Sequence, residues 1–188
     1  MSAKRGSILS QSGTWDFCIR RYLLSGTGTV TRKSKGRKNN MNFQWYPGHM
    51  TKAKRQMQED IKLIDLVVEL VDARIPLSSR NPDIDELGKN KYRLILMNKS
   101  DLADPRATEA WSRFFKDKGY YVVSLDARSK AGMKSITDMI MEACKEKIER
   151  DRKRGIKNRP VRAMVVGIPN VGKSTFINSY AGKACAKT

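Results

Sequence analysis

Gly167-Ile168-Pro169-Asn170-Val171-Gly172-Lys173-Ser174 decides how the chain folds. The octet fits G-x-x-x-x-G-K-[ST] and lies between a β-branched apolar run, Val161 to Val166, and a helix-like stretch, Thr175 to Ala181. Strand, glycine-rich turn and helix in that order make a cradle for phosphate. The glycines let backbone N–H groups approach phosphate oxygens, and the N-terminus of the following helix favours an anion. Lys173 is placed to reach the β and γ phosphates, and Ser174 to ligate Mg²⁺. Asn170, Val171, Gly172 and Thr175 complete the candidate phosphate-binding surface.

Working outward, Leu66 to Val71, Arg93 to Met97 and Tyr120 to Ser124 are further apolar runs that read as buried strands. Between them, Ala107 to Asp117 and Lys134 to Arg152 carry apolar residues at helical spacing, such as Ile136, Met139, Ile140 and Ala143, opposite a charged face. The alternation predicts an α/β domain with a four-stranded parallel sheet covered by helices. No apolar run reaches the ~20 residues that a bilayer span needs, since Leu63 to Val71 contains Asp65 and Glu69. A membrane-spanning chain is excluded. Cys18, Cys144 and Cys185 are odd in number and widely spaced beside a single histidine, which argues against both a disulfide framework and a zinc site.

A second motif, Asn98-Lys99-Ser100-Asp101, follows the Arg93 strand and belongs at the carboxyl edge of the sheet, where ligands of such folds bind. A carboxylate at Asp101 can accept from both the ring N–H and the exocyclic amino group of guanine, a pair that adenine does not offer. GTP and GDP are therefore expected over ATP. Ser124-Leu125-Asp126-Ala127 ends the next strand, and the backbone near Ala127 is a candidate to approach the guanine O6; an ordinary strand-end turn is the competing reading.

The balance of charge points to a polyanionic partner. The 188 residues hold 38 Lys+Arg and 19 Asp+Glu, a formal charge of +19. Nucleic acid fits that excess better than anionic lipid. Residues 1 to 40 contain nine Lys/Arg and one acid, net +8, which leaves +11 on residues 41 to 188. This arm is too polar to fold alone and is expected to be a disordered basic extension. It reads as a nucleic-acid-binding tail, a transit peptide, or translated upstream sequence ahead of a start at Met41; the residues favour the last, because Lys35-Gly36-Arg37 can be encoded by purines alone. Within the fold, Lys145, Arg150, Arg152, Lys153, Arg154, Lys157 and Arg159 crowd a helix end and the linker into the phosphate-loop strand. They are the candidate RNA-facing residues, although Glu146, Glu149 and Asp151 partly neutralise them.

The base motif (G4) precedes the phosphate loop (G1), with the Asp126 turn at the G5 position, so the order is G4-G5-G1 and the chain resembles the circularly permuted GTPases. Met41 to Ala53, Met-Asn-Phe-Gln-Trp-Tyr-Pro-Gly-His-Met-Thr-Lys-Ala, and Asp72-Ala73-Arg74-Ile75-Pro76 resemble the YlqF/RbgA family of ribosome-assembly GTPases over residues 41 to 188. The resemblance implies a bacterial cytoplasmic GTPase, monomeric, that hydrolyses GTP to GDP and phosphate while associating with the precursor of the large (50S) ribosomal subunit, its rRNA and proteins. It also implies that His49 positions or polarises the attacking water, and that Asn170 ligates a K⁺ beside the phosphates. An aromatic-packed anchor of the N-terminal turn remains the alternative for His49, as a loop-shaping role does for Asn170.

No Asp-x-x-Gly follows Lys173, so residues 41 to 188 read as a partial GTPase domain, incomplete at the C-terminus. Four strands equivalent to 4, 5, 6 and 1 of an unpermuted sheet would form a contiguous half-sheet with the phosphate-loop strand as a bare edge. In isolation these residues are expected to bind guanine nucleotide weakly and to hydrolyse it poorly. A non-catalytic rRNA-binding fragment, or a pseudo-GTPase without switch regions, is the alternative.

Overall fold

Even-numbered and odd-numbered positions along the central strands go to opposite faces of one sheet, and each face is apolar. The computed structural model describes residues 18–21 (backbone only), 57–156 and 159–182. Its strands are β1 (Cys18–Arg21), β2 (Leu66–Asp72), β3 (Tyr92–Asn98), β4 (Tyr121–Ser124) and β5 (Arg162–Val166), in the order β1-β5-β2-β3-β4 with every pairing parallel. Leu66, Val68, Leu70, Leu94 and Leu96 pack against helices α3 (Met133–Ala143) and α5 (Lys173–Ala181) through Ile136, Ile140, Phe176 and Ile177. On the other face, Val67, Met164 and Val166 meet a helical turn at 57–61 and Ile84 of α1 (Asp83–Leu87), while Val71, Ile95 and Met97 meet Phe115 of α2 (Pro105–Asp117). The three layers are those expected of an α/β domain.

The four expected strands are present, and the fifth, β1, changes one expectation. The phosphate-loop strand is not the sheet edge, because Cys18 to Arg21 pair with Arg162 to Val165 along it. The expected helix over Lys134 to Arg152 is two helices, α3 and α4 (Lys145–Lys153), meeting at Cys144. The first fully buries Ile136, Ile140 and Ala143, whereas the second has no fully buried residue and touches the core through Ile148, so the break parts a core helix from a largely surface one. Burial pushes the Cys144 thiol up to about 12, leaving it an inert packing group. Helix α2 starts at Pro105, two residues before the predicted start, because Asp104 caps the Arg106 N–H at 2.7 Å and proline suits the first helical position. Among the described residues, no helix is long and apolar enough to cross a membrane.

One charge interrupts the apolar β2. Glu69 is 1% exposed and takes both guanidiniums available to it, Arg80 Nη2 at 2.9 Å and Arg93 Nη2 at 3.0 Å. Both guanidiniums also reach Asp85 and lie over the Tyr120 ring, at 5.1 and 5.2 Å. Arg80 thereby pins the far end of the segment that leaves β2. Removing the buried anion leaves two largely buried guanidiniums to share Asp85 alone, a change that costs about 3–5 kcal/mol. Glu69→Gln is expected to lower the midpoint of thermal unfolding by roughly 10 °C. A shift under about 2 °C in a calorimetric scan would show that the cluster is solvated.

Candidate functional site

The strands end together, and three of their tips surround a cavity of about 400 Å³ lined by Asn98, Lys99, Asp101, Leu102, Asp126 to Arg128 and Pro169 to Thr175 except Val171. The register explains this. Asp72 stands opposite Asn98 and Met97 opposite Ser124, so the loops after β2, β3 and β4 leave the sheet side by side, with the phosphate loop after β5 next to β2.

Asn98 is the joint of the site. It is 3% exposed, its Nδ2 donates to Val171 O at 2.7 Å, and its Oδ1 accepts the Ala127 N–H at 3.0 Å. One amide thus ties the base motif to both the phosphate loop and the β4 turn, across 73 and 29 residues of chain. The Ala127 N–H is engaged there, and Ala127 itself lines the cavity beside Asp126 and Arg128. Asp126 likewise holds its own turn, its carboxylate accepting the Arg128 N–H at 2.9 Å and the Ser129 N–H at 3.2 Å. The Ser129 hydroxyl foremost, and then these N–H groups, lower its pKa below the usual range. The Ser179 hydroxyl of α5 donates to Ala127 O at 2.7 Å, closing the ring of contacts.

Asp101 sits exposed in a short 3₁₀ turn, Ser100–Leu102, at the rim of the cavity. Lys99 before it has the left-handed conformation (φ 61°), and its ammonium donates to Asp72 Oδ2 and to Asn170 O, both at 2.9 Å. In the phosphate loop, Asn170 is also left-handed (φ 63°), and a Cβ built on Gly167 would lie 2.6 Å from Leu70 O, so the loop sits hard against the sheet. Lys173 is 3% exposed and donates to Ile168 O; Ser174 and Thr175 are half-buried at the start of α5. The helix N-terminus, the glycines and this ammonium meet on one cavity, which suits a nucleoside polyphosphate. Ser174, at the cavity wall, has the hydroxyl that would hold Mg²⁺, and Mg²⁺ would supply charge neutralisation to bound phosphates.

Asp72 and Arg74 went unassigned in the reading of single residues. The signal for them was the parallel register, which sets the end of β2 beside Asn98-Lys99. Of the RNA-facing candidates, Lys145, Arg150, Arg152, Lys153, Arg154 and Arg159 are exposed. Lys147 is turned inward on Asp151 (2.8 Å) and Asp65 (3.5 Å). Asp65 precedes β2 and accepts the Arg162 N–H, so α4 lies at the amino edge of the sheet, about 17 Å of strand from the cavity. His49, the Met41 to Ala53 segment and Lys157 lie outside the described residues.

A parallel sheet whose phosphate loop and guanine-type motif share a cavity but run in reversed chain order defines a circularly permuted P-loop GTPase domain. The family described as 50S ribosome-binding GTPase matches residues 162–188. Ribosome biogenesis GTPase A of Priestia megaterium is 56% identical over 149 residues, covering 79% of this chain and 52% of that protein. Its namesake in Thermotoga maritima is 36% identical over 141 residues, with 75% of this chain and 47% of that protein covered. The crystal structure of GNP-bound YlqF from T. maritima aligns with a TM-score of 0.52 at 33% identity, over 68% of this chain and 47% of that one. The chain belongs to the YlqF/RbgA family. It spans about half the length of the curated relatives it matches.

Proposed function

We propose that this chain forms the base-reading and phosphate-binding part of a GTPase that acts in late assembly of the bacterial 50S subunit in the cytoplasm. The observation that carries the reading is the Asn98 joint, which draws the two motifs onto one cavity although they lie far apart and reversed in sequence. Asp101 reads guanine, Lys173 leaves Ile168 O for the phosphates, Ser174 holds Mg²⁺, and the Asn170 side chain offers an oxygen to K⁺. His49 is the residue assigned to the attacking water. Residues 41 to 188 form a partial GTPase domain, which works as a monomer, and residues 1 to 40 a basic extension whose Cys18–Arg21 strand extends the sheet.

The exposed arginines and lysines of α4 supply the rRNA contact, at the sheet edge remote from the cavity, so nucleotide and RNA do not compete for one surface. That patch also favours a second reading, a non-catalytic rRNA-binding protein. The two separate on nucleotide dependence. Cosedimentation of the chain with 50S precursor particles is expected to change when guanine nucleotide is added, and Lys173→Ala is expected to abolish the change by weakening phosphate binding about 10- to 100-fold. Sedimentation indifferent to nucleotide would replace the GTPase reading with the second one.

A further inference from the structure

The Asp72 carboxylate occupies the edge of the cavity without facing into it, and all four of its contacts are cationic or N–H groups. Oδ1 accepts the Arg74 N–H at 3.1 Å and Arg74 Nε at 2.9 Å; Oδ2 accepts Arg74 Nη2 at 2.8 Å and Lys99 Nζ at 2.9 Å. Its own N–H donates to the Ser79 hydroxyl, which is fully buried and donates onward to Pro76 O. The side chain is 7% exposed and cannot swing away without losing these bonds. The Arg74 guanidinium, with Lys99 beside it, holds the carboxyl far below the usual range against the opposing effect of burial.

We propose that Asp72 is a positioning residue of the nucleotide site, which clamps the Lys99 ammonium on Asn170 O and so sets the spacing between the base motif and the phosphate loop. The proposal rests on the cavity being a guanine-nucleotide site. Lys99 has a four-carbon stem with high rotamer entropy, and a single carbonyl would hold it poorly. A charge-assisted bond from the opposite side fixes it. Arg74 has a separate task. A bare carboxylate this near the phosphates would repel them, and pairing with Arg74 leaves the Asp72, Arg74 and Lys99 group at a net +1. Arg74 also lies within electrostatic reach of Asp101.

The test is a double-mutant cycle on the whole chain, read as the dissociation constant of fluorescent GDP, with thermal midpoints measured alongside. Asp72→Ala is expected to weaken GDP about 10-fold, and the isosteric Asp72→Asn, which keeps its acceptor but loses the charge, about 3-fold. In a Lys99→Ala background neither change should weaken GDP further, because the residue acts through that lysine. Ile84→Val, a core change on the far side of the sheet, should lower the thermal midpoint and leave GDP affinity unaltered. Full additivity of Asp72→Asn and Lys99→Ala, or unchanged affinity in both Asp72 variants, overturns the proposal. A wild-type chain that fails to bind GDP overturns the reading of the site, and this proposal with it.

Discussion

Asp101→Asn is expected to exchange the base preference of the cavity from guanine to xanthine. A carboxylate at this rim position accepts two N–H groups, the ring N1–H and the exocyclic amine of guanine. Asparagine keeps one acceptor and turns the other into a donor, which matches the N1–H and C2 carbonyl of xanthine and leaves the guanine amine facing an N–H. Sites built around such paired hydrogen bonds discriminate by about 10⁴ against the mismatched partner. The ratio of XDP to GDP affinity should therefore swing by roughly that factor, measured by competition against one labelled nucleotide. Stability should move by less than about 0.5 kcal/mol, since Asp101 is exposed in a short 3₁₀ turn. An unchanged preference in a variant that still binds GDP would remove Asp101 from the base-reading role and pass it to Asp126, the other carboxylate that lines the cavity.

The chemistry of the site was legible in the sequence where a short motif carries its own geometry. Gly167 to Ser174 needs only the strand before it and the helix after it, and Asn98 to Asp101 needs only a strand end. What escaped were relations across the chain. Asp72 and Lys99 are 27 residues apart and meet because two parallel strands end in register. The Ala127 N–H meets Asn98 because the buried amide oxygen needs a donor, and no local pattern announces that demand. The break at Cys144 has no proline or glycine. Its flanking N–H groups still find partners, Cys144 N on Ile140 O and Ile148 N on Cys144 O, so the helical spacing runs straight through it. Strand β1 is four residues long in a polar arm and gains its order from β5, which no periodicity in the arm could reveal. Glu69 was a readable exception. An acid inside an apolar run demands cations, and the structure supplies Arg80 and Arg93.

Gly172→Ala should show how strongly the two motifs depend on each other. A Cβ at Gly172 would lie 2.3 Å from Asn98 Nδ2, well inside contact, and Asn98 has nowhere to retreat. Moving its amide breaks the bond to Val171 O, the bond from Ala127, or both, and each buried group left unpaired costs about 1–3 kcal/mol. The left-handed φ of 94° adds about 1 kcal/mol of strain for any residue with a side chain. The sum, about 2–7 kcal/mol, is a large part of the roughly 5–15 kcal/mol that holds an ordinary domain together. Thermal unfolding should begin roughly 10 °C earlier, and GDP affinity should fall at least about 10-fold because the cradle and the base motif no longer share a joint. Gly155→Ala separates the two causes. Gly155 has φ 77° but nothing within 4 Å of its added Cβ, so it pays the backbone strain alone, about 1 kcal/mol, and leaves GDP binding intact. If the two variants lose equal stability and both keep GDP affinity, the contact between Gly172 and Asn98 is not what couples base to phosphate, and the cavity must be held by the Lys99 bridge instead.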